Sequence, residues 1–332
     1  MTSKGKQMRR ERIKSIILAL MLTALVLTLA SCGQAEQAKQ AIDTRSIHSI
    51  PESYGEKSLS PGTLKTLTYS SRTYDSNNTV ATKKATVYLP HGYSADKKYN
   101  ILYLMHGYGG DENTFLGSET SPRYLKRMLD HMISAGDIDP LIVVTPTLTW
   151  GSGDYYSTMD NFQKELTRDL MPAAEGRYST YAAGTSSGAF VKSRDHRAMA
   201  GFSMGGCITW QTLRDNTRYF KYYLPMSCPL YFYSDTESDQ TGYMAREIRQ
   251  GLRSSGYSRD EYFVFAATGS RDYVRKEITY QIGHLKKYTD LFKYTTTDFS
   301  SGNLMFYTAK GHHHSFNQSY VYIYNGLIRF FR

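Results

Sequence analysis

The sequence predicts an α/β fold in which a mainly parallel sheet carries helices on both faces. Two observations predict it. Short, continuous apolar runs end in glycine or proline, as strands buried on both faces do, and segments with helical apolar spacing alternate with them along the chain. The 332 residues are 40% hydrophobic and 14% aromatic, which is ample for a packed core and excludes a disordered chain.

The first element is not part of the fold. Six basic residues between Lys4 and Lys14 precede an apolar run from Ile16 to Ala30 that stops at Leu29-Ala30-Ser31-Cys32. A charged start, a short apolar stretch and a terminal cysteine are the layout of a bacterial lipoprotein signal, with residues 1–31 removed and Cys32 lipidated; the run is short for a membrane span. The remainder from Cys32 holds 34 basic and 29 acidic residues. That balance, with no basic stripe interleaved with aromatics, gives no case for nucleic acid. Residues 32–61, rich in Gln, Ala, Ser, Glu and Lys without apolar period, are expected to be a flexible tether, and 62–332 a single domain.

The domain opens with two alternating segments, Thr63 to Ser71 and Lys83 to Pro90, separated by a Ser/Asn turn and expected to pair antiparallel. "YNILYLMHGYGG" (Tyr99 to Gly110) is a buried strand running into glycines. "YLKRMLDHMISAG" (Tyr124 to Gly136) has helical spacing, "PLIVVTPT" (Pro140 to Thr147) is another buried strand, and Asn161 to Tyr178 is helical again. Cys207 and Cys228 both lie in apolar stretches and are expected to be free buried thiols.

Two segments match Gly-x-Ser-x-Gly, the trace of a nucleophilic serine on a tight strand-to-helix turn: "GTSSG" around Ser186 and "GFSMG" around Ser203. Small polar residues surround Ser186, and that stretch is expected to be a loop insertion. Ser203 follows the apolar "AMAGF" and precedes Met204, Ile208 and Leu213 at roughly helical spacing, so the strand-turn-helix context belongs to Ser203. The helix start would offer the Met204 N–H to an oxyanion, and the glycine loop after "ILYLM" a second donor, for which Tyr108 N–H is the choice.

A serine nucleophile needs a base, and the base an orienting acid. Asp272 sits in a small-residue turn after the apolar run Tyr262 to Ala267. Asp260, Asp290 and Asp298 have weaker contexts, and a helix cap is the other role open to Asp272. Of the four histidines after Ser203, His284 falls within a helical segment, while His312, His313 and His314 follow another apolar run, Asn303 to Ala309. A histidine triplet can also suggest metal. Consecutive residues point in different directions, however, and no ligand set with convincing spacing accompanies them, so no metal or organic cofactor is expected.

"ILYLMHGYGGDENTF", "PLIVVTPT", "FQKELTRDLMP", "HRAMAGFSMGG", "TGSRDY" and "HSFNQSYVYIYNGLIRFF" together resemble the esterase D-type α/β-hydrolases, above all the family 1 carbohydrate esterases, which include feruloyl and acetylxylan esterases. The resemblance runs from about Thr63 to the C-terminus. It implies the α/β-hydrolase fold, Ser203 as nucleophile, Asp272 as acid, His314 as base, and Met204 and Tyr108 as oxyanion donors. Three departures bear on the substrate: Ser315 replaces a frequent acidic residue, Ser319 stands where many members have tryptophan, and "AAGTSSGAFVKSRD" is an apparent insertion.

The expectation is a lipid-anchored serine esterase outside the cytoplasm, cleaving acetyl or feruloyl esters on plant polysaccharide such as xylan. An acyltransferase to a sugar acceptor and a non-catalytic polysaccharide-binding lipoprotein are the alternatives. Tyrosines clustered in "DYYS" and "RYFKYYLPM", together with Trp150, could supply flat faces for sugars or aromatic acyl groups; tyrosine enrichment is equally a surface habit of exported proteins.

Overall fold

The computed structural model describes residues 42–148, 155–231 and 240–332. Strands β1 (Thr63–Arg72) and β2 (Val80–Leu89) pair antiparallel from Thr63 opposite Leu89 to Arg72 opposite Val80. β3 (Asn100–Met105), β4 (Leu141–Pro146), β5 (Arg197–Phe202), β6 (Tyr222–Met226), β7 (Phe263–Gly269), the two-residue β8 (Tyr294–Thr295) and β9 (Leu304–Ala309) complete the sheet, in the order β1-β2-β4-β3-β5-β6-β7-β9-β8. All pairings beyond the β2/β4 contact are parallel.

The apolar runs become central strands because both of their faces are covered. In β3, Ile101, Tyr103 and Met105 enter one core while Leu102 and Leu104 enter the other. The second core is closed by helices α1 (Tyr124–Ala135), through Leu125, Met128, Leu129 and Met132, and α8 (Tyr320–Leu327), through Tyr322, Ile323 and Leu327. Gly136 ends α1 in the left-handed region at φ 81°. The first core is covered by α2 (Tyr155–Glu165), α5 (Met204–Asp215), α6 (Gln240–Ser255) and α7 (Arg275–Leu285).

A π turn (Leu166–Leu170) joins α2 to α3 (Met171–Arg177). It comes just before Pro172, which has no N–H to donate and whose ring would clash with an α-helical carbonyl one turn back. From α3, Glu175 accepts two hydrogen bonds from Arg197 at 2.7 and 2.8 Å, with Tyr103 and Thr180 donating as well. This buried pair is satisfied on both oxygens, which offsets its desolvation and pins the start of β5.

Three expectations are corrected. Residues 42–61, assigned to the tether, pack against the domain: His48 exchanges backbone bonds with Asn325 at 2.8 Å, Arg329 donates to Ser46 O at 2.7 Å, and Tyr54 donates to Asp137 at 2.7 Å. Their polar composition conceals this role, because the carbonyls of Ser46 and His48 satisfy buried side chains far along the chain. Cys207 and Cys228, expected to be free, form a disulfide with Cα atoms 5.5 Å apart. They are buried as expected, but α5 and the end of β6 bring them together across 21 residues of sequence. The stretch around Ser186 holds a short helix, α4 (Ser187–Lys192), which Ser186 caps by accepting from Ala189 N at 3.2 Å.

Cys32 lies outside the described residues. Among the described residues, no helix is long and apolar enough to cross a membrane.

Candidate active site

Parallel strands share a direction, so the loops after β3, β5, β6, β7 and β9 emerge at one edge of the sheet. Ser203 stands between β5 and α5 with φ 54° and ψ −121°, a backbone conformation that L-residues avoid unless the surroundings impose it. Backbone hydrogen bonds hold it there: its N–H donates to Met226 O at 2.9 Å, and its carbonyl accepts from Gly206 N at 2.7 Å and Cys207 N at 3.1 Å. The flanking glycines are needed for close approach. A Cβ on Gly201 would lie 2.1 Å from Gly205 O, and one on Gly205 would lie 2.3 Å from Met105 O.

His314, on the loop after β9, reaches both neighbours. Its Nε2 is 2.9 Å from Ser203 Oγ and its Nδ1 is 2.9 Å from Asp272 Oδ1. An ionised carboxylate only accepts, so Nδ1 carries the proton and Nε2 accepts from the Ser203 hydroxyl. The Asp272 carboxylate is shielded from solvent, and it also accepts from Val274 N and Thr268 Oγ1, both at 3.1 Å. Burial acts to raise its pKa, but the hydrogen bonds led by that from His314 outweigh burial and hold it below the ordinary 3.8. The loops of the acid and the histidine are themselves joined by Arg271 N donating to His312 O at 2.8 Å.

The loop after β3 lies against the serine. A Cβ on Gly107 would sit 3.3 Å from Ser203 Cβ. The buried His106 organises this loop: its Nε2 accepts from Leu148 N at 3.1 Å, which leaves Nδ1 protonated to donate to Gly107 O at 2.7 Å. Gly110 N donates to the same carbonyl at 3.1 Å. With Gly107 C=O held from that side, the planar trans peptide turns Tyr108 N–H to the opposite side. Burial lowers the pKa of His106 and so favours the neutral imidazole that this arrangement requires. Met204 is the first residue of α5, so its N–H has no acceptor within the helix.

A hydroxyl hydrogen-bonded to an oriented imidazole can attack an acyl carbonyl, and backbone N–H donors near it can hold the resulting oxyanion. The other candidates lie elsewhere. Ser186 caps α4, Asp290 pairs with Arg253 at 2.7 Å, Asp298 accepts from Thr44 at 2.9 Å, and Asp260 lines a cavity of about 370 Å³ with Asp298 and Arg329. His313 N donates to Gln318 Oε1 at 2.6 Å. Among the described residues no cluster could hold a metal ion.

Part of the aromatic set that the sequence suggested is interior. Tyr222 and Tyr223 of "RYFKYYLPM" are buried in β6, Ser319 is buried and donates to Phe316 O, and Trp150 and the side chains of Tyr155 and Tyr156 lie outside the described residues. Instead, Tyr108 and Tyr273, exposed by 74% and 68%, stand beside the site. Sequence reasoning missed Tyr273 and the role of His106. Their only signal was position, directly after the candidate acid and directly before the glycine loop.

Residues 76–326 match the family described as "Putative esterase". A feruloyl esterase module from Clostridium thermocellum, solved as its S954A mutant with sinapinate, is 37% identical with a TM-score of 0.76, over 88% of this chain and 95% of that one. Endo-1,4-beta-xylanase Y of Acetivibrio thermocellus is 39% identical over 250 residues, 75% of this chain; the match spans 22% of that larger protein. A ferulic acid esterase from Anaeromyces mucronatus, 21% identical over 85% of this chain and 96% of that one, shares the fold with a TM-score of 0.62. The chain belongs to this esterase family and is a carboxylic ester hydrolase of the carbohydrate esterase type.

Proposed function

We propose that the protein removes feruloyl or acetyl groups from plant cell-wall polysaccharide such as xylan, through a Ser203-His314-Asp272 triad and an acyl-enzyme. The observation that carries this reading is the unbroken line of hydrogen bonds from Ser203 Oγ through His314 to Asp272. His314 takes the Ser203 proton as Oγ attacks the ester carbonyl. The N–H groups of Met204 and Tyr108 hold the oxyanion, His314 returns the proton to the leaving alcohol, and water then releases the acid by the same route. Asp272, ionised and shielded, keeps the imidazole in the working tautomer and stabilises the imidazolium. No metal or cofactor enters the scheme.

The substrate class is supported by relatives described as a feruloyl esterase module and a xylanase. We place the enzyme outside the cytoplasm, tethered to the cell envelope by lipid on Cys32, on the strength of the basic start, the apolar run and "LASC". Release of ferulate and acetate from feruloylated and acetylated xylan, followed by chromatography for the wild type, Ser203→Ala and Ser186→Ala, tests the reading. The expected result is release by the wild type and Ser186→Ala, with a loss on the order of 10³-fold or more in Ser203→Ala. Wild-type release of neither acid contradicts the proposed substrate, and full activity in Ser203→Ala contradicts the nucleophile.

A further inference from the structure

In the reaction proposed above, His314 Nε2 must reach two oxygens in turn: Ser203 Oγ, and then the oxygen of the departing alcohol. The alcohol half of the ester therefore sits on the His314 side of Ser203, while the carbonyl oxygen faces Met204 N–H and the Tyr108 loop. What flanks His314 at the surface thus meets the sugar rather than the acyl group.

Two rings neighbour the imidazole. The centroid of Phe202 is 5.0 Å from it, and that ring is buried at 6% exposure. The centroid of Tyr273 is 4.4 Å away with planes inclined by 38°, and Tyr273 keeps 68% of its surface in solvent despite that contact. Phe316, which also neighbours Phe202, is occupied in packing against Phe115 at 4.7 Å and Tyr320 at 5.5 Å. Among the described residues, Tyr108 and Tyr273 are the large exposed hydrophobic side chains on the loops that carry the site, and of the two it is the Tyr273 ring that contacts His314.

Position is fixed by the backbone as well. Tyr273 lies between Asp272, whose carboxylate is held by His314 and Val274 N, and Val274, which is buried at 2% exposure and precedes α7. An exposed ring on so constrained a segment offers a flat apolar face at small cost in conformational entropy, the surface on which the C–H face of a pyranose or furanose packs.

We infer that Tyr273 is a specificity-determining residue, a stacking platform for the sugar that carries the ester and leaves as the alcohol. The inference rests on the esterase reading and adds to it which half of the substrate this ring recognises. It predicts that the effect of Tyr273 follows the alcohol and not the acid.

The test compares two esters of the same acid, a feruloylated arabinoxylan oligosaccharide and methyl ferulate, in the full chain, Tyr273→Ala and Tyr273→Phe. For Tyr273→Ala, KM for the oligosaccharide ester is expected to rise about five- to tenfold with kcat retained, and methyl ferulate turnover to stay within about twofold of wild type. Tyr273→Phe, which keeps the ring face, is expected to restore the wild-type KM. An unesterified xylo-oligosaccharide should inhibit methyl ferulate turnover by the wild type and Tyr273→Phe, and Tyr273→Ala more weakly. Equal losses on both esters, or a fall in kcat on both, overturn the platform and make Tyr273 a positioning residue for His314; loss in Tyr273→Phe equal to that in Tyr273→Ala overturns it in favour of the hydroxyl. If the wild type cleaves neither ferulate ester, the same comparison with an acetylated oligosaccharide and methyl acetate decides the platform. No wild-type turnover of either acid overturns the esterase reading and the platform together.

Discussion

At the scale of single residues, the proposed chemistry gives two histidines opposite tasks. In that scheme His314 exchanges protons, and Asp272 fixes which nitrogen is free to do so. Asp272→Asn should leave Ser203 and the oxyanion donors in place but allow the unproductive tautomer, lowering kcat on the order of 10³- to 10⁴-fold; stopped-flow or endpoint turnover checks it. His106, by contrast, works only while neutral, because Nε2 accepts from Leu148 N and Nδ1 donates to Gly107 O. His106→Ala removes one of the two hydrogen bonds that hold the Gly107 carbonyl and should cost up to about 10²-fold in kcat, the range for loss of one oxyanion donor, with KM little changed. A sign follows for pH. Burial depresses the pKa of His106 in the folded state below the ordinary 6.5, so the unfolded chain binds more protons as pH falls below that value. His106 therefore withdraws stability as pH drops through 6.5 toward its folded-state pKa. Thermal unfolding of the wild type and His106→Gln across pH 5 to 7 should show the variant losing less stability on acidification; identical slopes would exclude this role.

At the scale of elements, the site is a set of loops at one sheet edge, tied by close approaches and a crosslink. Gly205→Ala would drive a Cβ to 2.3 Å from Met105 O and 2.7 Å from His106 O, both backbone atoms at the turn that carries the oxyanion loop. Backbone cannot yield as a flexible side chain can. The variant should lose about 2 kcal/mol or more of stability and most of its activity, which chemical denaturation and turnover measure together. The disulfide between Cys207 on α5 and Cys228 beyond β6 braces the helix beneath Ser203. Thiol titration of the denatured, unreduced mature protein should find neither cysteine free, and removing the pair should cost about 2 to 4 kcal/mol. These elements also mark how far the sequence could be read. The buried runs "ILYLM", "LIVVT" and "AMAGF" announced parallel strands because a strand covered on both faces is apolar over most of its length. Ser203 announced itself because an elbow demands small residues on both sides. The disulfide did not, since burial alone cannot distinguish a thiol that faces core from one that faces another thiol. Nor did the burial of Tyr223, which the sequence placed in a tyrosine cluster open to surface roles and which lies inside β6.

At the scale of the whole molecule, the boundary of the domain is earlier than composition implies. Ser46 and His48 lend their backbones to Arg329 and Asn325, two side chains buried near the C-terminus, and Tyr54 reaches Asp137. A chain beginning at residue 62 would leave the Arg329 guanidinium without one of its three carbonyl partners and Asn325 without two bonds. It should unfold several degrees lower than one beginning at residue 42, by about 2 kcal/mol or more, as differential scanning fluorimetry would record. Asp272 and His314, 42 residues apart, and Ser203, 111 residues before His314, meet only because successive parallel strands deliver their carboxyl ends to one edge. Order along the chain was legible, whereas the distances between the side chains belong to the folded molecule. The central claim is that Ser203, and no other serine, becomes acylated. Its most direct test is to inactivate the wild type with a phosphonate ester that mimics the oxyanion, and to locate the adduct by intact mass and peptide mapping. One adduct per chain on the peptide bearing Ser203, absent in Ser203→Ala and unchanged in Ser186→Ala, is the predicted result; an adduct on another residue, or none, would contradict it.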